Sequence, residues 1–196
     1  QLPEERILVG AGLDDVIQII SRSLLSPGDE IIVADPTFSQ YELHAVIEGA
    51  KVVKVPVKQS SGEMDLEAML EAITAKTKII WLCNPNNPTG TYLPQSLIRA
   101  FIEKVPTDVL VISDEAYQEY VTDEAISTSL PLLETLSNII VMRTFSKAYG
   151  LAGLRIGYAI IPTTVSRAFD IVRPPFNTST IAQKAAIVAL EDQAFI

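Results

Sequence analysis

Thr144-Phe145-Ser146-Lys147-Ala148-Tyr149-Gly150-Leu151-Ala152-Gly153-Leu154-Arg155 joins two apolar stretches, Asn138 to Arg143 and Ile156 to Ile161, each of which reads as a buried strand. The link is too short for a helical crossover, so the second strand is predicted to run antiparallel to the first. One lysine sits in that link among hydroxyls and glycines. Where a buried strand emerges, an ammonium is costly to desolvate, which favours the neutral amine that attacks an aldehyde. Lys147 therefore has the character of a Schiff-base lysine. Thr144 and Ser146 add two hydroxyls, and Arg155 adds a planar guanidinium suited to a phosphate. An aldehyde that carries a phosphate satisfies both halves of the stretch. The plain alternative is a solvated loop lysine beside an ordinary strand-end arginine, so other parts of the chain have to supply further contacts.

Upstream, Asp108 to Ser113 reads as a strand that ends at Asp114, where a buried carboxylate is expensive unless a positive partner awaits it. Tyr117 follows three residues later, and Glu115 reads as structural. Lys78 to Leu82 is another apolar strand, and Asn84-Pro85-Asn86-Asn87-Pro88-Thr89-Gly90 after it is too proline-rich for regular structure and forms a shaped loop. Pro94 opens a helix whose Leu97, Ile98, Phe101, Ile102 and Val105 form one apolar core stripe. Lys51 to Val55 is a strand, and Asp65 caps a helix through Ile73. Glu30 to Ala34 is a strand, and Asp35-Pro36-Thr37-Phe38 opens a helix with Tyr41, Ala45 and Val46. At the start, Arg6 to Gly10 is a short strand turned by Gly10-Ala11-Gly12-Leu13-Asp14-Asp15 into a helix with Val16, Ile19, Ile20, Ser23 and Leu24. The amides that open such a helix have no intrahelical partners, so a phosphate can sit there. A dinucleotide fingerprint fails at this turn, because its third glycine falls at Asp15.

Four runs in this order, Asn84-Pro85-Asn86-Asn87-Pro88-Thr89-Gly90, Ser113-Asp114-Glu115-Ala116-Tyr117, Arg143-Thr144-Phe145-Ser146-Lys147 and Gly150-Leu151-Ala152-Gly153-Leu154-Arg155-Ile156-Gly157-Tyr158, resemble the class I/II, fold-type I aminotransferases that use pyridoxal 5'-phosphate. The resemblance runs from about Ile7 to the end of the chain. Within that family the first and third runs, with Arg173-Pro174-Pro175-Phe176-Asn177, most resemble the histidinol-phosphate aminotransferase branch. The resemblance implies that Lys147 holds the cofactor and then serves as base, that Asp114 keeps its ring nitrogen protonated, and that Tyr117 and Asn87 meet its ring oxygen. It further implies that Phe38 stacks on the ring, and that Arg155, Ser146, Thr144 and the Gly12, Leu13, Asp14 turn hold the phosphate. Leu13 replaces a small polar residue often found there. For Asn84 and Asn86 a structural role in the loop is predicted, and Tyr41 is placed at the pocket wall.

Seven strands alternating with helices predict an α/β fold, a three-layer, doubly wound, seven-stranded and mostly parallel sheet with its site at the strand carboxyl ends. The resemblance supplies the strand order 3-2-4-5-6-7-1, with strand 7 antiparallel. Helices are predicted at about Thr164 to Val172 and Ser179 to Leu190. Because the chain opens with Gln1 and ends just after a helix, residues 1–196 are read as the cofactor-binding large domain of a longer protein. In the family an N-terminal segment and a C-terminal small domain complete the molecule, which forms homodimers.

At 196 residues, 48% apolar and 20% charged, the chain has the makings of one domain with a large core. No run reaches the roughly 18 apolar residues a membrane span requires, and the start lacks signal-peptide regions. The expectation is a cytoplasmic protein with no membrane partner. A formal net charge of −9 argues against a nucleic-acid partner. Cys83 is alone, which excludes an internal disulfide and reads as a small buried residue, and His44 is the only histidine, which excludes a multi-histidine metal site. His44 itself reads as part of a helix surface or an interface. The reaction implied by the resemblance is transamination between an amino donor, histidinol phosphate by branch, and a 2-oxo acid, commonly 2-oxoglutarate. A decarboxylase or lyase on the same scaffold, and a ligand-binding module without turnover, remain as alternatives.

Overall fold

A computed structural model of the protein describes residues 2–123 and 128–196. Its strands are β1 (Ile7–Gly10), β2 (Glu30–Asp35), β3 (Lys51–Pro56), β4 (Thr77–Cys83), β5 (Leu110–Asp114), β6 (Ile139–Thr144) and β7 (Gly157–Ile160). Its helices are α1 (Leu13–Leu24), α2 (Gln40–Ile47), α3 (Leu66–Glu71), α4 (Gln95–Ile102), α5 (Thr163–Val172) and α6 (Thr180–Glu191). The strands form one seven-stranded sheet in the order β1-β7-β6-β5-β4-β2-β3, the predicted order read from its other edge. β7 is antiparallel to both neighbours, β1 and β6, and the other pairings are parallel. The short lysine link accounts for that one reversal, since ten-odd residues cannot carry a chain back across the sheet through a helix.

Alternation along the strands divides the core into two layers. Ile31, Val33, Trp81, Ile112, Ile140 and Met142 face one side with residues of α1, α2 and α5. Ile32, Ala34, Ile80, Leu82, Val111 and Val141 face the other with residues of α3 and α4. Central strands are buried on both faces, which is why they read as unbroken apolar runs rather than alternating ones. A smaller cluster, Phe145, Ile156, Ala182 and Ala186, fastens the lysine link to α6. Among the described residues no helix is long and apolar enough to cross a membrane.

Two local predictions change. In α4, Ile98, Phe101 and Ile102 are buried, but Leu97 is 50% exposed. At 3.6 residues per turn Leu97 lies about 100° round from Ile98, beyond the contact with the sheet. The predicted stripe is therefore narrower, with Val105 buried just past the helix end. The α3 cap is as predicted, Asp65 accepting from the Ala68 N–H at 3.2 Å, but the helix stops at Glu71 instead of Ile73.

Candidate active site

The parallel register sets Asp114 beside Cys83 of β4 and Met142 of β6, at the carboxyl edge of the sheet. Asp114 is 3% exposed. Its Oδ2 accepts from Tyr41 Oη at 2.6 Å and its Oδ1 from the Ala116 N–H at 3.0 Å. Burial raises the pKa of Asp114 from 3.8 to about 6, against the opposing pull of those two donors and the positive charge of Lys147. Tyr41 is fully buried, stacked on Trp81 at 4.6 Å, and its own ionisation is pushed well above the usual range by burial and by the Asp114 charge. It therefore remains a hydrogen-bond donor. Tyr41 was predicted at the pocket wall, whereas it lies beneath Asp114, because its position on α2 faces the sheet. Cys83 is buried as predicted, and burial pushes its thiol up to about 12.

The proline-rich loop gives its asparagines different tasks. Asn84 exchanges two hydrogen bonds with the Leu93 backbone, at 3.0 and 2.7 Å. Asn86 donates to Pro36 O and Thr89 Oγ1 and accepts from Thr37 Oγ1, so both side chains are taken up by the fold. Asn87 alone turns to the cavity, its Nδ2 lying 3.4 Å from Tyr117 Oη. The two polar tips converge on one point.

After β6 the chain makes a tight link. The Ser146 N–H donates to Thr144 Oγ1 at 3.1 Å, the Gly150 N–H to Lys147 O at 2.9 Å, and the Leu151 N–H to Phe145 O at 2.9 Å. Phe145, 4% exposed, anchors the link against Tyr149 and Tyr158. Lys147 projects from it with Nζ 5.4 Å from the Tyr117 ring centroid, within cation–π reach. The expected burial is not found: Lys147 is exposed, on the link that leaves the sheet after β6.

Arg155 adopts the left-handed conformation (φ 52°) and donates through Nη1 to Ala152 O at 3.0 Å, with Ser146 Oγ 3.4 Å away. No carboxylate among the described residues lies within ion-pair reach of it. The guanidinium lies over Gly12, where a Cβ would stand 2.3 Å from Nη2, so only glycine fits. Gly12 has φ 84° and donates its N–H to Gly10 O at 2.8 Å. It therefore contributes room rather than a donor, and the amides left to face an anion are those that follow in α1, from Leu13 and Asp14 onward. Phe38 meets Tyr41 edge-on at 5.6 Å. His44 is tucked between α2 and α1, its Nε2 3.5 Å from Asp14 Oδ1.

All the predicted site residues except Gly12, which lies behind Arg155, line one cavity of about 330 Å³. That volume is within the range of about 300–1,000 Å³ typical of small-molecule sites. A second cavity of about 430 Å³ shares Asn87 and Tyr117 with it. Among the described residues no group of His, Cys, Asp and Glu could hold a metal ion.

Sequence reading did not find the side chains that hold these residues in place. Arg143 pairs with Glu115 at 2.8 Å and with Glu119 at 2.9 Å, gripping the chain on both sides of Tyr117. Glu115 also accepts from Thr128 Oγ1 and the Ser129 N–H, which makes it structural as predicted. Arg143 begins the Arg143-Thr144-Phe145-Ser146-Lys147 motif, but nothing in its spacing named its partners.

The fold and the cavity together define a class: a doubly wound α/β domain with a lysine, a buried aspartate and an arginine that has no carboxylate partner among the described residues, around one strand-edge pocket. The chain belongs to the aminotransferase class I and II family, whose model matches residues 1–196. It is 56% identical over 192 residues to histidinol-phosphate aminotransferase 1 of Bacillus cereus, covering 98% of this chain and 51% of that protein. The histidinol-phosphate aminotransferase of Geobacillus thermodenitrificans is 53% identical over 193 residues, 98% of this chain and 52% of that one. Among solved structures, histidinol-phosphate aminotransferase from Sinorhizobium meliloti in complex with pyridoxal-5'-phosphate superposes with a TM-score of 0.90 at 34% identity, covering 97% of this chain and 51% of that chain. The chain thus spans about half the length of the curated relatives it matches.

Proposed function

We propose that residues 1–196 form the pyridoxal 5'-phosphate-binding large domain of an aminotransferase whose amino donor is histidinol phosphate and whose acceptor is a 2-oxo acid. The observation that carries this reading is the gathering of Lys147, Asp114 and Arg155 around a single cavity. The donor set fits the cofactor. Among the described residues neither the buried carboxylate of Asp114 nor the guanidinium of Arg155 has an ion-pair partner, and Gly12 lets that guanidinium pack directly on the turn. A group with a protonatable ring nitrogen at one end and a phosphate at the other meets both needs.

Bound there, pyridoxal 5'-phosphate supplies an aldehyde and an electron-accepting ring. Lys147 Nζ is the amine that would hold it, and the same amine would serve as the base for the substrate's α-proton. Asp114 would face the ring nitrogen and favour its protonated form. Tyr117 Oη and Asn87 Nδ2 would meet the ring oxygen, and Phe38 would lie against the ring. Arg155, Ser146 and the α1 amides would hold the phosphate, and Thr144 shapes the link that presents Ser146. The family supports the further reading of a cytoplasmic homodimer completed by residues outside this chain.

Incubation with pyridoxal 5'-phosphate, borohydride reduction and peptide mapping test the site. The pyridoxyl mass is expected on Lys147 and absent from Lys147→Ala; a label elsewhere, or none on wild type, overturns the assignment. With histidinol phosphate and 2-oxoglutarate, the full-length protein should form glutamate without releasing carbon dioxide. Carbon dioxide or an amine product would favour the decarboxylase alternative.

A further inference from the structure

The run Arg173-Pro174-Pro175-Phe176-Asn177 has no part in the site described above, yet its last residue reaches the turn behind it. Asn177 Nδ2 donates to Val9 O at 3.1 Å and to Asp15 Oδ2 at 2.8 Å, across 162 residues of sequence in the second case. The same Asp15 oxygen accepts from the Ala11 N–H at 2.8 Å. It leans over Gly10, where a Cβ would stand 3.1 Å from it and 2.7 Å from Val16 Cγ2. One side-chain amide thus ties the end of β1, the Gly10–Gly12 turn and the first turn of α1 into a single unit. Phe176, immediately before Asn177, is fully exposed and held at φ 58°. A bulky residue rarely takes that conformation unless its surroundings impose it, and here the imposed turn delivers the Asn177 amide to Asp15.

We infer that Asn177 is a positioning residue for the phosphate grip: through Asp15 it holds the Gly10–Leu13 backbone so that the opening amides of α1 and the Arg155 guanidinium face the same anion. The inference rests on the cofactor reading above. Its physical basis is preorganisation, because amides already aimed at a phosphate lose no free energy to reorientation when it binds. Gly157 packs against the other side of the same turn, a Cβ there meeting Gly12 C and Leu13 N at 3.1 Å. The turn is therefore held between β7 on one side and the Asp15–Asn177 pair on the other.

The test separates the phosphate from the ring. Pyridoxine 5'-phosphate and pyridoxine lack the aldehyde, so their affinities, measured by calorimetry on this chain, report the grip without any bond to Lys147. Asn177→Ala should lower affinity for pyridoxine 5'-phosphate about tenfold, as the loss of one charge-assisted hydrogen bond implies. Affinity for pyridoxine should stay within about twofold. Asn177→Ser carries the same test if the alanine variant melts below the assay temperature. Asp15→Asn, which keeps the side-chain shape but removes the charge, should give a loss in the same direction that does not add to that of Asn177→Ala. Equal losses for both ligands would mean that Asn177 merely supports the fold, and unchanged affinity for the phosphate would mean it does not act on the grip; either overturns the inference. A wild-type chain that binds both ligands equally would instead overturn the phosphate assignment itself, and this inference with it.

Discussion

Tyr41 Oη, outside the lining of the cavity, donates to Asp114 Oδ2 at 2.6 Å. The tyrosine is clamped by Trp81 and cannot follow Asp114 if the carboxylate moves. Tyr41→Phe keeps that packing and removes the donor, leaving the Ala116 N–H as the other hydrogen bond to the carboxylate. The ionised form loses more than the protonated form, so the pKa of Asp114 should rise further. Stability at pH 8 should fall by about 1–3 kcal/mol, with a smaller loss at pH 5. Urea unfolding of wild type and variant at the two pH values reads both numbers.

A pH dependence follows from Asp114 itself. Its folded pKa, about 6, is raised above 3.8 by burial, so its favourable contribution is complete below 3.8 and is lost as pH rises through about 6. The gap corresponds to roughly 3 kcal/mol once the group is fully ionised. Asp114→Asn removes this dependence. The stability of the variant minus that of wild type should therefore increase by about 2–3 kcal/mol between pH 4 and pH 8. A flat difference across that window in urea unfolding would mean that the carboxylate is not desolvated as described.

These residues also mark what sequence could and could not disclose. Strands were legible because doubly buried β2, β4, β5 and β6 are continuous apolar runs between turn residues. Most residues lining the cavity were legible because they stand at strand ends, in motifs of fixed local spacing, whereas Gln40, in no such motif, was not. The supports were not. Tyr41 with Asp114, Arg143 with Glu115, and Asn177 with Asp15 are separated by 73, 28 and 162 residues, and such pairings follow only from the tertiary fold. The exposure of Lys147 was missed for a related reason, since a motif fixes neighbours in sequence and leaves solvent access to the packing around it.

Arg143 joins two acidic residues at a buried position, with Glu115 the more deeply placed. Arg143→Met leaves that carboxylate without its cation and should destabilise the protein by about 3–5 kcal/mol. Adding Glu115→Gln removes the stranded charge, so the double variant should recover part of the loss, a coupling of about 1–3 kcal/mol. Denaturant midpoints of the wild type, both singles and the double close the cycle, and strict additivity would contradict the pairing.

Gly12 and Gly153 offer a matched contrast. Gly12→Ala forces a side chain into φ 84° and against Arg155, whereas a Cβ on Gly153 meets nothing within 4 Å. The first should cost about 1–3 kcal/mol of stability and also weaken binding of pyridoxine 5'-phosphate. The second should fall within about 0.5 kcal/mol of wild type. Melting and calorimetry on the two variants check the pair.

The pairing of β1 with β7, Ile7 opposite Ile160, sets an order of events during synthesis. At about 5–20 residues per second, the ribosome releases the turn after β1 on the order of ten seconds or more before the strand that will hold it. Only at the end of that interval, once Thr144 has been made, is β6, Ile139–Thr144, the newest edge of the growing sheet, and it is mostly apolar. An edge of that kind invites pairing with another nascent chain. The strand whose Gly157 backs the turn after β1 is thus also the one that closes this exposed edge, so a chain arrested before Gly157 should be more prone to aggregate than one that has passed it.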